Sequence, residues 1–173
     1  MNVRIDISNV CIKTKRIILR AFKETDIYDF YEYAKVDGVG EMAGWHHHES
    51  VEDSKEILDE FIKEKKTFAI EYKGKVIGSV GIENYNEELL PEFAHKKGRE
   101  IGFVLSKDYW GQGLMPESVK AVLDYLLNEI NVDFIICCHS VTNIQSKRVQ
   151  EKCGFVPYKN INDKCINVLY PHY

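Results

Sequence analysis

The chain of 173 residues, 45% hydrophobic and 29% charged, has an ordinary globular composition and enough length for one domain with a substantial core. Its 23 basic and 27 acidic residues leave a net charge of −4, which argues against a primary nucleic-acid binder, because that function calls for a basic face. No apolar run approaches the length needed to cross a membrane, and Met1 to Val10 lack a signal-peptide core, so the expected location is the cytoplasm.

The elements follow in chain order, with no linker or repeat between them, and residues 1–173 are read as a single domain. Residues 10–22 alternate as one first strand. Asp26 to Lys35 reads as a helix capped by Thr25, with Ile27, Phe30, Tyr31 and Ala34 on one face. Gly44-Trp45-His46-His47-His48 follows as a loop. Three adjacent histidines look like a metal tract, but consecutive residues cannot all face one ion without an irregular loop, so no metal is expected. Ser50 with Asp53 forms a capping-box variant opening a second helix that carries Ile57, Leu58, Phe61 and Ile62. Thr67–Tyr72 and Lys75–Tyr85 are strands around the turn Lys73-Gly74. After a loop from Asn86 to Lys97, Glu100 opens a buried strand with Ile101, Phe103, Val104 and Leu105.

That strand runs into a tight loop. Gly111 and Gly113 remove Cβ where a backbone must turn hard or let a ligand approach. Pro116 and Glu117 suit a first helical turn, and Val119, Val122, Leu123, Leu126 and Leu127 then repeat as one apolar stripe. Unpaired N–H groups at such a loop and helix start favour an anion, above all phosphate. A dinucleotide fingerprint needs a third glycine where Pro116 stands, and a P-loop needs Gly-Lys-Ser/Thr where Leu114-Met115 stand, so both are disfavoured.

A second block follows. Phe134 to Cys138 is another buried strand, completing a βαβ unit whose crossover is right-handed. A short helix is then capped by Thr142 or Asn143 and ends at Gly154, before strands near 155–159 and 164–170. Hairpins first and a parallel crossover later mean an α+β (mixed α/β) chain with one sheet. The five cysteines, Cys11, Cys137, Cys138, Cys153 and Cys165, are odd in number and never spaced C-x-x-C, which points to free thiols in a reducing compartment.

Together these blocks resemble the GNAT N-acetyltransferases, and within them the RimJ/RimL (ribosomal-protein-alanine N-acetyltransferase-like) branch. Glu100 to Ser118 is similar to that branch's E-I-G-Y/F-x-L strand, Y-W-G-x-G loop and P/T-E-A/S helix start. Asn143 to Phe155 is similar to its N-x-x-S-x-x-V-x-E-K-x-G-F pattern, and Thr14 to Arg20 to its opening T-x-R-L-x-L-R strand. The resemblance implies a central, mostly antiparallel sheet with helices on both faces and a splayed parallel strand pair at the cofactor site. It implies acetyl transfer from acetyl-CoA to a primary amine.

The resemblance also implies a site. Phe103, Val104 and Leu105 would line the pantetheine arm, with a backbone N–H of that strand polarising the thioester carbonyl. Tyr109, Trp110, Gly111, Gln112, Gly113, Leu114 and Met115 would hold the diphosphate, and Asn143 and Ser146 the pantetheine end. For the base that takes the ammonium proton, Glu100 is the first candidate, Glu83 the reserve and His95 a third. Many family members place a tyrosine as acid where this chain has Gln150, which cannot donate a titrating proton. Ser146, one helical turn earlier, is then the candidate acid, or it only steadies the helix start. Asp108 also departs from the usual Gln or Arg of that loop, and Lys107, Lys147 or Arg148 could compensate. Trp45, His46 and Glu83 would border the acceptor.

The first-guess acceptor is a protein N-terminal α-amine of the ribosomal-protein type. A small amine (a polyamine, an amino acid or an antibiotic) is the alternative, and a non-catalytic CoA-binding module is a third reading. No nucleic acid, membrane or metal is expected as a partner, and the chain could act alone or as a homodimer.

Overall fold

The elements were traced in a computed structural model that describes residues 1–171. Eight strands form one sheet in the order β1-β2-β3-β4-β5-β6-β8-β7. They are β1 (Cys11–Lys13), β2 (Ile17–Ala21), β3 (Thr67–Tyr72), β4 (Lys75–Glu83), β5 (Gly98–Leu105), β6 (Phe134–Ser140), β7 (Val156–Ile161) and β8 (Lys164–Leu169). Four helices intervene: α1 (Ile27–Ala34), α2 (Val51–Glu64), α3 (Leu114–Asn128) and α4 (Ile144–Lys152). The sheet is mostly antiparallel, and β5 pairs in parallel with β6 from Gly98 opposite Phe134 to Ile101 opposite Cys137. The expected mixed α/β class with one such sheet is what the chain adopts. No helix among the described residues is long and apolar enough to cross a membrane.

The chain divides into two compact units. One comprises Ile5–Gly81 and Phe103–Ser118, the other Met1–Arg4, Ile82–Gly102 and the chain from Val119 on. In the first unit, Phe22, Phe30, Tyr33, Leu58, Ala69, Val76 and Val104 form the core. Phe61 packs its ring 5.3 Å from Phe22 and 5.7 Å from Phe30. In the second, Tyr85, Leu90, Phe93, Phe134, Ile136, Ile166 and Val168 form a separate core, with Phe93 stacked on Phe134 at 4.2 Å. Non-directional burial of these apolar surfaces holds each unit together.

Several local readings change. The expected first strand is a hairpin, β1 and β2, because Thr14 Oγ1 accepts from Ile17 N at 3.0 Å and closes a turn between them. Thr25 does not cap a helix. It sits inside a 3₁₀ turn, Glu24–Asp26, that precedes α1. The Asp26 carboxylate turns back to accept from Lys23 N at 2.8 Å and binds Arg20 through both oxygens. On α1, Phe30, Tyr33 and Ala34 are buried, so Tyr33 takes the place expected for Tyr31. Helix α3 opens at Leu114, two residues before Pro116, and the proline still lies where its missing N–H has no helical partner to lose. The Ser50–Asp53 capping box forms as expected, with Asp53 N donating to Ser50 Oγ at 3.1 Å.

Gly98, the first residue of β5, explains itself sterically. A Cβ there would lie 2.1 Å from Cζ of the fully buried Phe134 ring. Gly98→Ala is therefore expected to cost about 1–3 kcal/mol by overpacking. In a thermal melt that should appear as a midpoint lower by ~3–10 °C.

Candidate active site

Loop geometry in the first unit starts at the end of β5. Ser106 N donates to Ile77 O at 2.8 Å, which anchors the strand end on β4. A 3₁₀ turn, Lys107–Tyr109, follows, and Trp110 Nε1 donates to Leu105 O at 2.8 Å, folding the indole back on the strand it leaves. Tyr109 meets the Tyr72 ring edge-on at 5.9 Å. Gly111 and Gly113 both have φ of +74°, a conformation costly to any residue with a Cβ. Gln112 Nε2 donates to Asp108 O at 3.2 Å, across the mouth of the turn. The side chains of Leu114 and Met115 are buried, so only their backbone amides can serve a ligand. Those amides belong to the N–H groups that open α3, together with the positive end of its dipole.

The loop has a clamp that the sequence did not reveal. Arg16, in the β1–β2 turn, donates from Nε to Glu117 Oε2 at 2.7 Å and from Nη1 to Gln112 O at 3.0 Å. Arg16 N and Thr14 Oγ1 both donate to Glu117 Oε1, at 2.9 and 2.7 Å. Burial acts to raise the Glu117 pKa, but these hydrogen bonds and the Arg16 charge outweigh it and leave the carboxyl below its ordinary value. The clamp joins residues about a hundred positions apart, a separation that no local pattern signals. Of the cations expected near the loop, Lys107 is already committed: Nζ donates to Asp37 O and lies 6.0 Å above the Trp110 ring. Lys147 pairs loosely with Glu151, at 3.8 Å.

In the second unit the candidate base lies on β5. Glu100 is opposite Ile136 in the parallel register, which places it on the same sheet face as Cys138, two residues along β6. Burial pushes the Glu100 carboxyl above its ordinary pKa. A hydrogen bond from the Cys138 thiol and the Lys164 charge pull it back, and the Glu83 charge adds to the rise. The thiol in turn is pushed up to about 12, first by burial and then by the neighbouring carboxylate, so it stays protonated and remains a donor. Glu83 ends β4 and is half-buried. His95 is exposed in the loop before β5, on none of these strands.

Helix α4 carries the remaining candidates. Asn143 is its N-cap: Oδ1 accepts from Ser146 N at 3.0 Å, and the residue is buried. Gln150 Nε2 donates to Ser146 Oγ at 3.1 Å and to Cys138 O at 3.3 Å. The loop from Gly44 to His48 divides its side chains between the first unit's core and the surface. Trp45 packs half-buried on the first unit's core, 5.0 Å from the His48 ring. His46 is exposed, and His47 Nδ1 sits 2.8 Å from Glu41 Oε1. His48 is buried, with Nδ1 2.7 Å from Ser54 Oγ, and burial lowers its pKa. Asp37, Glu41 and His47 bring three potential ligand atoms within 4.8 Å of one another, all near the surface and already engaged through the His47–Glu41 contact.

The sequence model for an acetyltransferase (GNAT) domain matches residues 16–156. Among curated proteins, the chain is 29% identical over 149 residues to the uncharacterized N-acetyltransferase YnaD of Bacillus subtilis, covering 83% of this chain and 81% of YnaD. It is 25% identical over 85 residues to YdaF of the same organism, which carries the provisional name ribosomal N-acetyltransferase. That match covers 49% of this chain and 43% of YdaF, so the chain spans less than half the length of that relative. Among solved structures, a GNAT-family acetyltransferase from Bacillus anthracis superposes with a TM-score of 0.80 at 22% identity, over 93% of this chain and 98% of that one. At that identity the superposition establishes the shared fold.

Proposed function

The chain belongs to the acetyltransferase (GNAT) family and is an N-acetyltransferase of that family, and from this premise we propose that it moves the acetyl group of acetyl-CoA to a protein N-terminal α-amine. The observation that carries the cofactor assignment is the glycine loop after β5, where two positive-φ glycines lead into the free N–H groups of α3. The provisional name of YdaF supports a ribosomal-protein acceptor. We also propose that the two units act as one domain, a reading supported by a family match that runs through both. Five free cysteines support a reducing, cytoplasmic setting.

The reaction needs a neutral amine, because an ammonium has no lone pair for attack. Glu100 takes that proton, directly or through a water. Its half-buried position raises its affinity for a proton, and the Cys138 thiol holds the carboxylate oriented. The amine nitrogen then bonds to the thioester carbonyl carbon. Negative charge develops on the carbonyl oxygen, where a backbone N–H of β5 near Phe103–Leu105 stabilises it. As the tetrahedral centre collapses, the C–S bond breaks, the nitrogen gives up its remaining extra proton to leave a neutral amide, and the departing thiolate takes up a proton to become the CoA thiol. Ser146 donates a hydrogen bond to that sulfur, and Asn143 holds the pantetheine amide while capping α4. Trp45, His46 and Glu83 border the acceptor in this reading.

The acceptor is tested by incubating the protein with acetyl-CoA and three amines: a peptide with a free N-terminal alanine or serine, spermidine and an aminoglycoside. Acetylation of the peptide α-amine, read by mass spectrometry, is the expected result. Turnover on a small amine alone would replace the protein acceptor. Tight CoA binding with no turnover on any of them would leave a non-catalytic binding module.

A further inference from the structure

We propose that Gln150 is a positioning residue that turns the single hydroxyl proton of Ser146 outward, toward the cofactor sulfur. The proposal rests on the reading of Ser146 given above and names the residue through which this chain makes that serine a donor.

Gln150 is fully buried in α4. A buried amide is costly unless its donors and acceptor are all engaged, and here they are. Nε2 donates to Cys138 O at 3.3 Å and to Ser146 Oγ at 3.1 Å, while Oε1 accepts from Asn167 Nδ2 at 2.7 Å. Asn167 is itself buried, on β8.

This arrangement fixes the amide's orientation. Cys138 O is a backbone carbonyl and can only accept, so the group facing it must be the Gln150 nitrogen. Turning the amide over would set two carbonyl oxygens against each other and two NH₂ groups against each other at Asn167. The same nitrogen faces Ser146 Oγ. An amide NH₂ can only donate, so Ser146 must accept there. A serine hydroxyl has one proton, and with a lone pair committed to Gln150 that proton points elsewhere. Accepting a hydrogen bond also strengthens the bond the hydroxyl then gives. Ser146 is steadied independently by its backbone N–H, bonded to Asn143 Oδ1 at 3.0 Å.

Glutamine thus cannot do what a tyrosine at its position would, since it has no titrating proton. It does something different: it removes the inward option for the serine one turn earlier. Substituting it should therefore matter only while Ser146 is present.

The test titrates the thiol of CoA bound to the full chain, following the ultraviolet thiolate band against pH with the CoA-free protein subtracted. A hydrogen bond to sulfur favours the thiolate, so Ser146→Ala should raise the bound-thiol pKa by about 0.5–1 unit. Gln150→Met should raise it by most of that amount in the wild-type background. In the Ser146→Ala background it should add nothing. Because Gln150→Met removes the acceptor of Asn167 Nδ2 and one donor to Cys138 O and could unfold the chain, Gln150→Glu provides a second probe of similar volume. Its carboxylate accepts the Ser146 proton and should shift the titration the same way, and because its negative charge raises the thiol pKa in any background, the shift should be larger with Ser146 present than in the Ser146→Ala background. If neither Gln150 variant moves the bound-thiol pKa, or if the shift is equal in both backgrounds, Gln150 does not act through Ser146. If Ser146→Ala itself causes no shift, the serine is not at the sulfur, and this proposal falls with that assignment while CoA binding stands.

Discussion

Gly113→Val is expected to abolish acetyl-CoA binding, with Kd raised by at least about a hundredfold from the loss of several hydrogen bonds at once. The protein itself leaves room for a side chain: a Cβ at Gly113 meets only the Arg16 guanidinium, at 3.6 Å. Space within the fold is therefore not what forbids valine. The backbone is, because φ is +74° and a β-branched residue is strongly disfavoured there. The loop must rotate to relieve that strain, and the N–H groups of Gly113, Leu114 and Met115 turn with it. Isothermal calorimetry with acetyl-CoA reads the result, and a thermal melt shows whether the fold survives. Unchanged affinity in a folded variant would mean that the diphosphate binds elsewhere.

Glu100→Gln should lower kcat by roughly 10²–10⁴-fold, the range for loss of a general base. The pH dependence follows from the sign of the shift. The wild-type base works only when ionised, and burial holds the Glu100 pKa above the ordinary carboxylate value. Activity should therefore fall as pH drops through that raised value, and the glutamine variant should lose this acidic limb. Stability runs the other way. A carboxyl whose folded pKa is raised binds its proton more tightly in the folded state, so its stabilisation is present at low pH and is lost as pH rises through the folded value. At neutral pH, Glu100→Gln should thus melt no lower than the wild type, which separates a catalytic loss from misfolding. Full activity with an unchanged pH profile would move the role to Glu83, His95 or bulk water.

Much of this chain is legible without coordinates, for a physical reason. Helix caps, glycine turns and apolar periodicity are local devices that act within a few residues of each other. The Ser50–Asp53 box, the positive φ of Gly111, Gly113 and Gly154, and the Asn143 cap of α4 all follow from such neighbourhoods. So does the run from strand through glycine loop to helix, which carried the family assignment. Where local rules failed, a distant partner had intervened. Thr25 lost its role because Arg20 and Lys23 claim Asp26. Residues 10–22 became two strands because Thr14 closes a turn with Ile17, while the carboxylate it also binds belongs to Glu117.

The candidate site divides along the same line. Local patterning determined a mixed α/β chain whose glycine loop opens a helix, with motifs that resemble the family the chain belongs to, because backbone conformation at a glycine or a cap depends on few neighbours. Which residues can do chemistry was decided by tertiary structure, because protonation and hydrogen-bond direction depend on burial and on partners remote in the chain. Glu100 holds its proton more tightly only because the fold half-buries it near Glu83, which outweighs the opposing pull of the Cys138 thiol and the Lys164 charge. Arg16 reaches the loop only through the β1–β2 turn, and Gln150 directs Ser146 only because β8 supplies Asn167 and β6 a carbonyl.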